Sequence, residues 1–235
     1  MNEIYRLIAS FLAVVVVLTF HEFAHSFAAY RCGDPTPKWN GRLSLNPLRH
    51  FDPVGLVCFT LVGFGWAKPV PINPDNFKHY RRGLALTASA GVIMNYLMAF
   101  LVFPLYLVVF FYLHVPVLST FLYYLTFYLF AYSLSFCVFN LLPLYPLDGF
   151  RIVDACSRKH GKVYTFLRKY GYYILLFLIV ESFICRIFTD YMGVAMLGET
   201  GYRVMSYLNI LNWFMRFATE IFGYPIQALW GLIPW

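Results

Sequence analysis

Three apolar runs limit what this chain can fold into: Ile4 to Tyr30, Leu84 to Leu113 and Val117 to Leu142. At 1.5 Å of rise per residue, each reaches across a hydrocarbon core of roughly 30 Å as a helix. The composition agrees, with 60% of the 235 residues hydrophobic and only 12% charged. A soluble domain carries about 25% charged residues to solvate its surface. Disorder is excluded too, because this much apolar area cannot stay in water. The lipid bilayer is therefore the expected solvent, and the fold class expected is an all-α polytopic membrane protein.

Between these runs the character changes. The stretch Arg31 to Arg82 holds seven prolines, and within it Val54 to Trp66 is apolar but too short to span, so it is expected to dip into the membrane and return. Tyr172 to Ile187 is a shorter apolar run carrying Glu181, and Val194 to Trp235 reads equally as a span or an interfacial helix. About five to six membrane segments are expected. They form a single membrane-embedded domain over residues 1–235, with a catalytic core at about 4–153 and C-terminal helices at about 171–235. A cleaved leader is the rival reading of the first run, but the n-region is weakly charged and no A-x-A site follows.

Formal net charge is +7, and the position of the basic residues matters more than their sum. Eight lie between Arg31 and Gly83 and six between Gly149 and Gly171, fourteen of the eighteen in the chain. The positive-inside rule puts both clusters on the cytoplasmic face of a cell membrane, with the N-terminus outside. No nucleic-acid partner is implied. The five cysteines are scattered without a CxxC pair, so neither a disulfide framework nor a thiolate zinc site is signalled.

His21-Glu22-Phe23-Ala24-His25 is an H-E-x-x-H sequence inside the first run. Residues four apart share a helix face, so both imidazoles can reach one zinc ion while Glu22 sits beside them, placed to deprotonate a water. The rival reading is a polar helix end bonded to its neighbours. Three ionisable groups within five residues of a span are costly, however, unless they face a cavity or a metal. A catalytic zinc takes three protein ligands, and Asp148 is the preferred third. It lies just past the Val117 to Leu142 segment, immediately before the second basic cluster, as His25 precedes the first, so both belong at similar depth. Glu181 is the rival ligand.

His21-Glu22-x-x-His25 followed by Asn140-x-x-Pro143-x-x-x-Leu147-Asp148-Gly149 resembles the site-2 protease family of intramembrane zinc metalloproteases, in its compact bacterial-type branch without a PDZ domain. Gly41 to Gly55, Gly65-Trp66-Ala67-Lys68-Pro69-Val70-Pro71, Arg82-Gly83 and Gly91-x-x-x-Asn95 are similar to that branch as well. The likeness runs from about Val14 to Val153. Val92 departs from it, standing where the family often has proline.

The resemblance implies one zinc per chain held by His21, His25 and Asp148, with Glu22 as general base and acid. It also implies cleavage of a membrane protein within or near its transmembrane helix. Asn140 is the first candidate for an oxyanion donor and Asn95 the second. Each also fits a structural role, Asn140 as a helix-end cap and Asn95 as an interhelical hydrogen bond. Gly63-Phe64-Gly65 resembles the family's re-entrant β-loop, whose edge could take an unwound substrate by strand addition, and equally reads as a tight turn. His50 and Asp52 could suggest a second metal, although a structural role fits better because no third ligand is near in sequence. Two other classes stay open: a metal-binding membrane transporter, and an inactive relative that binds membrane helices.

Overall fold

The computed structural model describes residues 2–62, 65, 67–157 and 161–233. Nine α-helices cover most of them: α1 Asn2–Cys32, α2 Thr36–Trp39, α3 Pro53–Val62, α4 Tyr80–Tyr112, α5 Leu118–Leu141, α6 Asp148–Cys156, α7 Lys162–Arg186, α8 Gly193–Leu208 and α9 Ile210–Trp230. A π-helical turn at Ile187–Met192 joins α7 to α8.

Among the described residues, four helical stretches are long and apolar enough to cross a membrane: Glu3–Cys32, Tyr80–Tyr112, Leu118–Leu141 and Lys162–Thr189. The fourth begins ten residues before the apolar run read from the sequence, which extends a span that looked short. Helix α9 has the length but carries Arg216 and Glu220. Five or six segments are reached only when α3 and α9 are counted beside these four.

Helices α1, α4 and α5 pack on one another and form the core. The face that α1 buries is made largely of small residues, with Ala9, Ala13, Ala24 and Ala29 all buried, and α4 answers with Gly83, Ala88, Gly91 and Ala99. Lipid gives little hydrophobic drive for helices to associate, so close backbone approach and interhelical hydrogen bonds supply it instead. One such bond joins the Ser10 and Tyr132 hydroxyls at 2.6 Å across α1 and α5. Another runs from Trp230 Nε1 on α9 to the Phe100 carbonyl on α4 at 3.0 Å. Large apolar side chains such as Phe11, Leu101, Phe110 and Phe177 point outward. That is the inverse of a soluble core and the arrangement expected where the solvent is hydrocarbon.

The proline-rich segment folds against one end of this core. Helix α3 spans ten residues, about 15 Å, half of what a crossing needs. A single antiparallel bridge, Phe51 with Ala67, closes the segment at its base. Among the described residues this bridge is the only β pairing outside helices, and Gly63, Phe64 and Trp66 lie outside them.

Asp34 ties the far side of the same segment. Its Oδ1 accepts from the Thr36 amide (3.0 Å), the Thr36 hydroxyl (2.6 Å) and Asn76 Nδ2 (2.9 Å), and its Oδ2 accepts from the Asn73 amide (2.8 Å). The carboxylate is fully buried. Burial alone would raise its pKa, yet the four donors outweigh it and hold the group below the ordinary carboxylate range. A lowered folded pKa stabilises the fold above the unfolded value of about 3.9, and that contribution is lost as pH falls through the lowered value. Asp34→Ala is therefore expected to destabilise the protein by about 2 kcal/mol at neutral pH, read as a lower thermal midpoint in detergent. The deficit relative to the parent protein should shrink in strongly acidic buffer.

Candidate metal centre

His21 and His25 sit on one face of α1, and both are buried. Their Nε2 atoms lie 3.0 Å apart. Asp148, the first residue of α6, brings its Oδ2 to 3.3 Å from His21 Nε2 and 3.0 Å from His25 Nε2. Among the described residues these three form the one group of His, Cys, Asp and Glu whose ligand atoms converge. The third partner preferred from the sequence is the one the fold delivers. Glu181 lies elsewhere, its Oε1 accepting from the Cys185 thiol at 3.3 Å and the Ile210 amide at 3.4 Å.

The outer hydrogen bonds decide what this trio can hold. His25 Nδ1 lies 2.7 Å from the Thr87 carbonyl on α4. A carbonyl only accepts, so Nδ1 carries a proton and Nε2 is the ring nitrogen left to bind a metal. His21 Nδ1 lies 3.1 Å from Asn95 Nδ2, while Asn95 Oδ1 is buried with no partner. A half-turn of the amide satisfies both: Oδ1 accepts the His21 Nδ1 proton, and that Nε2 is likewise left to bind a metal. Asp148 Oδ2 is likewise buried without a hydrogen-bond donor. Three such acceptor atoms this close call for a metal ion or a shared proton between them. Ligands about 2.0 to 2.1 Å from a tetrahedral zinc stand about 3.3 Å apart, close to the separations here, so the residues fit that ion.

Two glycines make the convergence possible. A Cβ on Gly91 of α4 would run into both imidazoles, so the helix approaches the pair only because that position has no side chain. A Cβ on Gly149 would strike the Leu141 and Leu142 carbonyls at the end of α5, so the residue after Asp148 must also be bare.

A cavity of about 580 Å³ opens beside the trio. Glu22 and Asn140 line it, as do Gly65, Ala67, Pro69 and Val70 from the proline-rich segment. Glu22 is half-buried there, next in sequence to His21. The Asn140 amide donates to the Phe136 carbonyl of its own helix at 3.1 Å, the bond a structural role would use, although the side chain remains on the wall. Asn95 is fully buried against His21 and is absent from the cavity lining. Of the Gly63-Phe64-Gly65 trio, only Gly65 falls within the described residues.

Arg42 and His50 brace that wall from behind. Arg42 is 5% exposed and donates to the Arg49 carbonyl and, at 3.2 Å, to the Lys68 carbonyl, so it grips both sides of the Phe51 and Ala67 bridge. Burial lowers the pKa of its guanidinium, and the Glu22 carboxylate partly offsets this. His50 Nε2 bonds the Ser44 carbonyl at 2.7 Å. Asp52 Oδ1 accepts from the Val54 and Gly55 amides at 2.9 and 3.1 Å and caps α3. Both are thus engaged in holding the segment.

Thr87, Arg42 and Arg151, a further residue on the cavity wall, are absent from the candidates read off the sequence. Thr87 acts through its backbone, which no side-chain pattern reveals. Arg151 was within reach, because it follows Asp148 by three residues on a helix.

Comparison with known proteins identifies the family. Residues 114–181 match the family model described as Peptidase family M50. The chain is 37% identical over 173 residues to the candidate zinc metalloprotease YwhC of Bacillus subtilis (strain 168), covering 72% of this chain and 78% of that protein. No solved structure matches the chain.

The buried amide beside His21 yields a test. Asn95→Ala is expected to weaken zinc binding by about tenfold to a hundredfold in metal-competition titrations, as loss of an orienting partner does. Asn95→Asp, which still accepts from Nδ1, should retain most of the affinity.

Proposed function

This chain belongs to peptidase family M50, the site-2 protease family of intramembrane zinc metalloproteases, and on that premise we propose that it hydrolyses peptide bonds within or near transmembrane helices of other membrane proteins. The observation that carries the reading is the meeting of three potential ligand atoms 3.0 to 3.3 Å apart beside a cavity that Glu22 lines. His21, His25 and Asp148 would hold the zinc, one ion per chain. When bound, the ion supplies a Lewis acid that acidifies water to a pKa near 7 and polarises a carbonyl.

The remaining work falls to side chains of this protein. Glu22 accepts the proton of the attacking water and returns it to the leaving amide nitrogen. Asn140 stands on the cavity wall, where its amide, released from the Phe136 carbonyl, can donate to the developing oxyanion. A helical substrate has its amides locked in internal hydrogen bonds, so it must unwind before a carbonyl reaches the centre. The backbone from Ala67 to Val70, which leaves the Phe51 bridge along the cavity wall, offers an edge to receive such a strand, and Arg42 holds that edge in place.

Both basic clusters lie at one end of the core. The Lys78 amide bonds the Cys32 carbonyl at 3.0 Å, and Tyr80, Arg151 and Arg168 wall one cavity. The positive-inside rule makes that end cytoplasmic, which places the site near the inner face of a cell membrane. The transporter reading is disfavoured by the family and by ligands clustered at one depth. All four reactive residues are present, against the inactive relative.

Glu22→Gln is expected to retain about one zinc per chain while lowering cleavage of a reconstituted single-helix substrate by about a thousandfold. Metal content by elemental analysis and product by gel, read on the same preparation, check this. Retained cleavage would remove Glu22 from the chemistry, and loss of zinc would recast it as a ligand.

A further inference from the structure

Arg151 follows Asp148 by three residues on α6, so both side chains leave the same face of that helix. It is half-buried on the wall of the active-site cavity. Among the described residues none accepts a hydrogen bond from its guanidinium or pairs with it. The same side chain walls a second cavity of about 280 Å³, which shares Val70 and Ile72 with the first and is completed by Tyr80, Asp154 and Arg168.

The other charges of that second cavity are already matched. Tyr164 donates its hydroxyl proton to Asp154 Oδ1 at 2.7 Å, and Arg168 donates to the same hydroxyl at 2.9 Å. One carboxylate and one guanidinium thus answer each other through a tyrosine, and the charge of Arg151 is left over. Asp154, Glu22 and Asp148 wall the same cavities, yet none of them pairs with Arg151, so its guanidinium can still take an anion from outside.

The placement also gives a distance. Thr87, whose carbonyl holds His25, and Tyr80 both line the second cavity, and they stand seven residues apart on α4, about 10 Å along the helix. An extended peptide covers that length in about three residues. The second cavity therefore begins at the depth of the metal centre and runs toward the end of α4 that carries Arg81 and Arg82.

We propose that this second cavity is a substrate subsite for an acidic side chain, which pairs with Arg151 from within a few residues of the scissile bond. The preferred substrates are membrane helices with an Asp or Glu where the chain leaves the bilayer on the Arg81 and Arg82 side. The proposal rests on the protease reading above and deepens it.

The test uses the full-length protein in liposomes with a single-helix substrate whose scissile bond is mapped by mass spectrometry. Asp, Asn or Lys is placed in turn at the second, third and fourth residues on that flank. At one of these positions Asp is expected to raise kcat/KM about tenfold over Asn, with Lys below both. Arg151→Glu should reverse the order in favour of Lys, and Arg151→Lys should keep it. Should Arg151→Glu fail to fold, Arg151→Gln serves, with the Asp and Asn substrates becoming equal. Equal rates for Asp and Asn at all three positions with the parent protein overturn the subsite, as does an Asp preference that survives Arg151→Gln. Chelator-sensitive cleavage of the Asn substrate, lost in Glu22→Gln, tests the protease reading separately, so the subsite can fall while that reading stands. Absence of all cleavage overturns both.

Discussion

Three potential ligand atoms pointed at one another from α1 and α6 are the constraint around which the rest of this protein is arranged. His21, His25 and Asp148 are buried, and their facing atoms are no more than 3.3 Å apart. Such an arrangement persists in a fold only where a metal ion or a shared proton lies between the atoms and the surroundings forbid retreat. The Thr87 carbonyl and the Asn95 amide block rotation of the imidazoles. Gly91 and Gly149 let two helices close to distances at which any side chain would intrude.

The three-helix core can be understood as the means of delivering that geometry. Small residues along α1 and α4 bring the backbones together, and interhelical hydrogen bonds supply what the hydrophobic effect cannot inside lipid. The proline-rich segment then closes one end. Asp34 gathers four donors on one side of it, and Arg42 spans two carbonyls on the other. The result is a largely apolar cavity that holds His21, Glu22, His25 and Asp148 on one wall. Hydrolysis requires such an enclosure, because water and a charged base must coexist at a depth where both are costly.

Charge along the cavity separates chemistry from selection. Glu22 lines the cavity beside His21, where the proposed proton transfer would take place. Arg151, one helical turn beyond Asp148, keeps an unmatched positive charge where the substrate's flank would pass. A site built this way reads the boundary of a membrane helix as well as its apolar middle, since acidic residues near the bilayer edge meet a counter-charge only in one register.

Much of this was legible in the sequence for physical reasons. Period and length revealed the long helices, and the four-residue spacing of His21 and His25 placed both rings on one face before any coordinates. Basic clusters before α4 and after α6 argued that Asp148 would come to the same depth, and it did. The lengths of α3 and α9 were harder, because apolar runs of ten to twenty residues with scattered charges fit several environments equally well. What only the tertiary structure decided were contacts made by groups without a pattern: the Thr87 carbonyl, the Gly91 gap, the grip of Arg42 and the solitary charge of Arg151. A sequence determines which residues lie on one helix and how deep each helix sits, since those follow from spacing and solvent. Which backbone atom faces which side chain depends on how helices far apart in the chain pack, and that is settled only when all of them are in place.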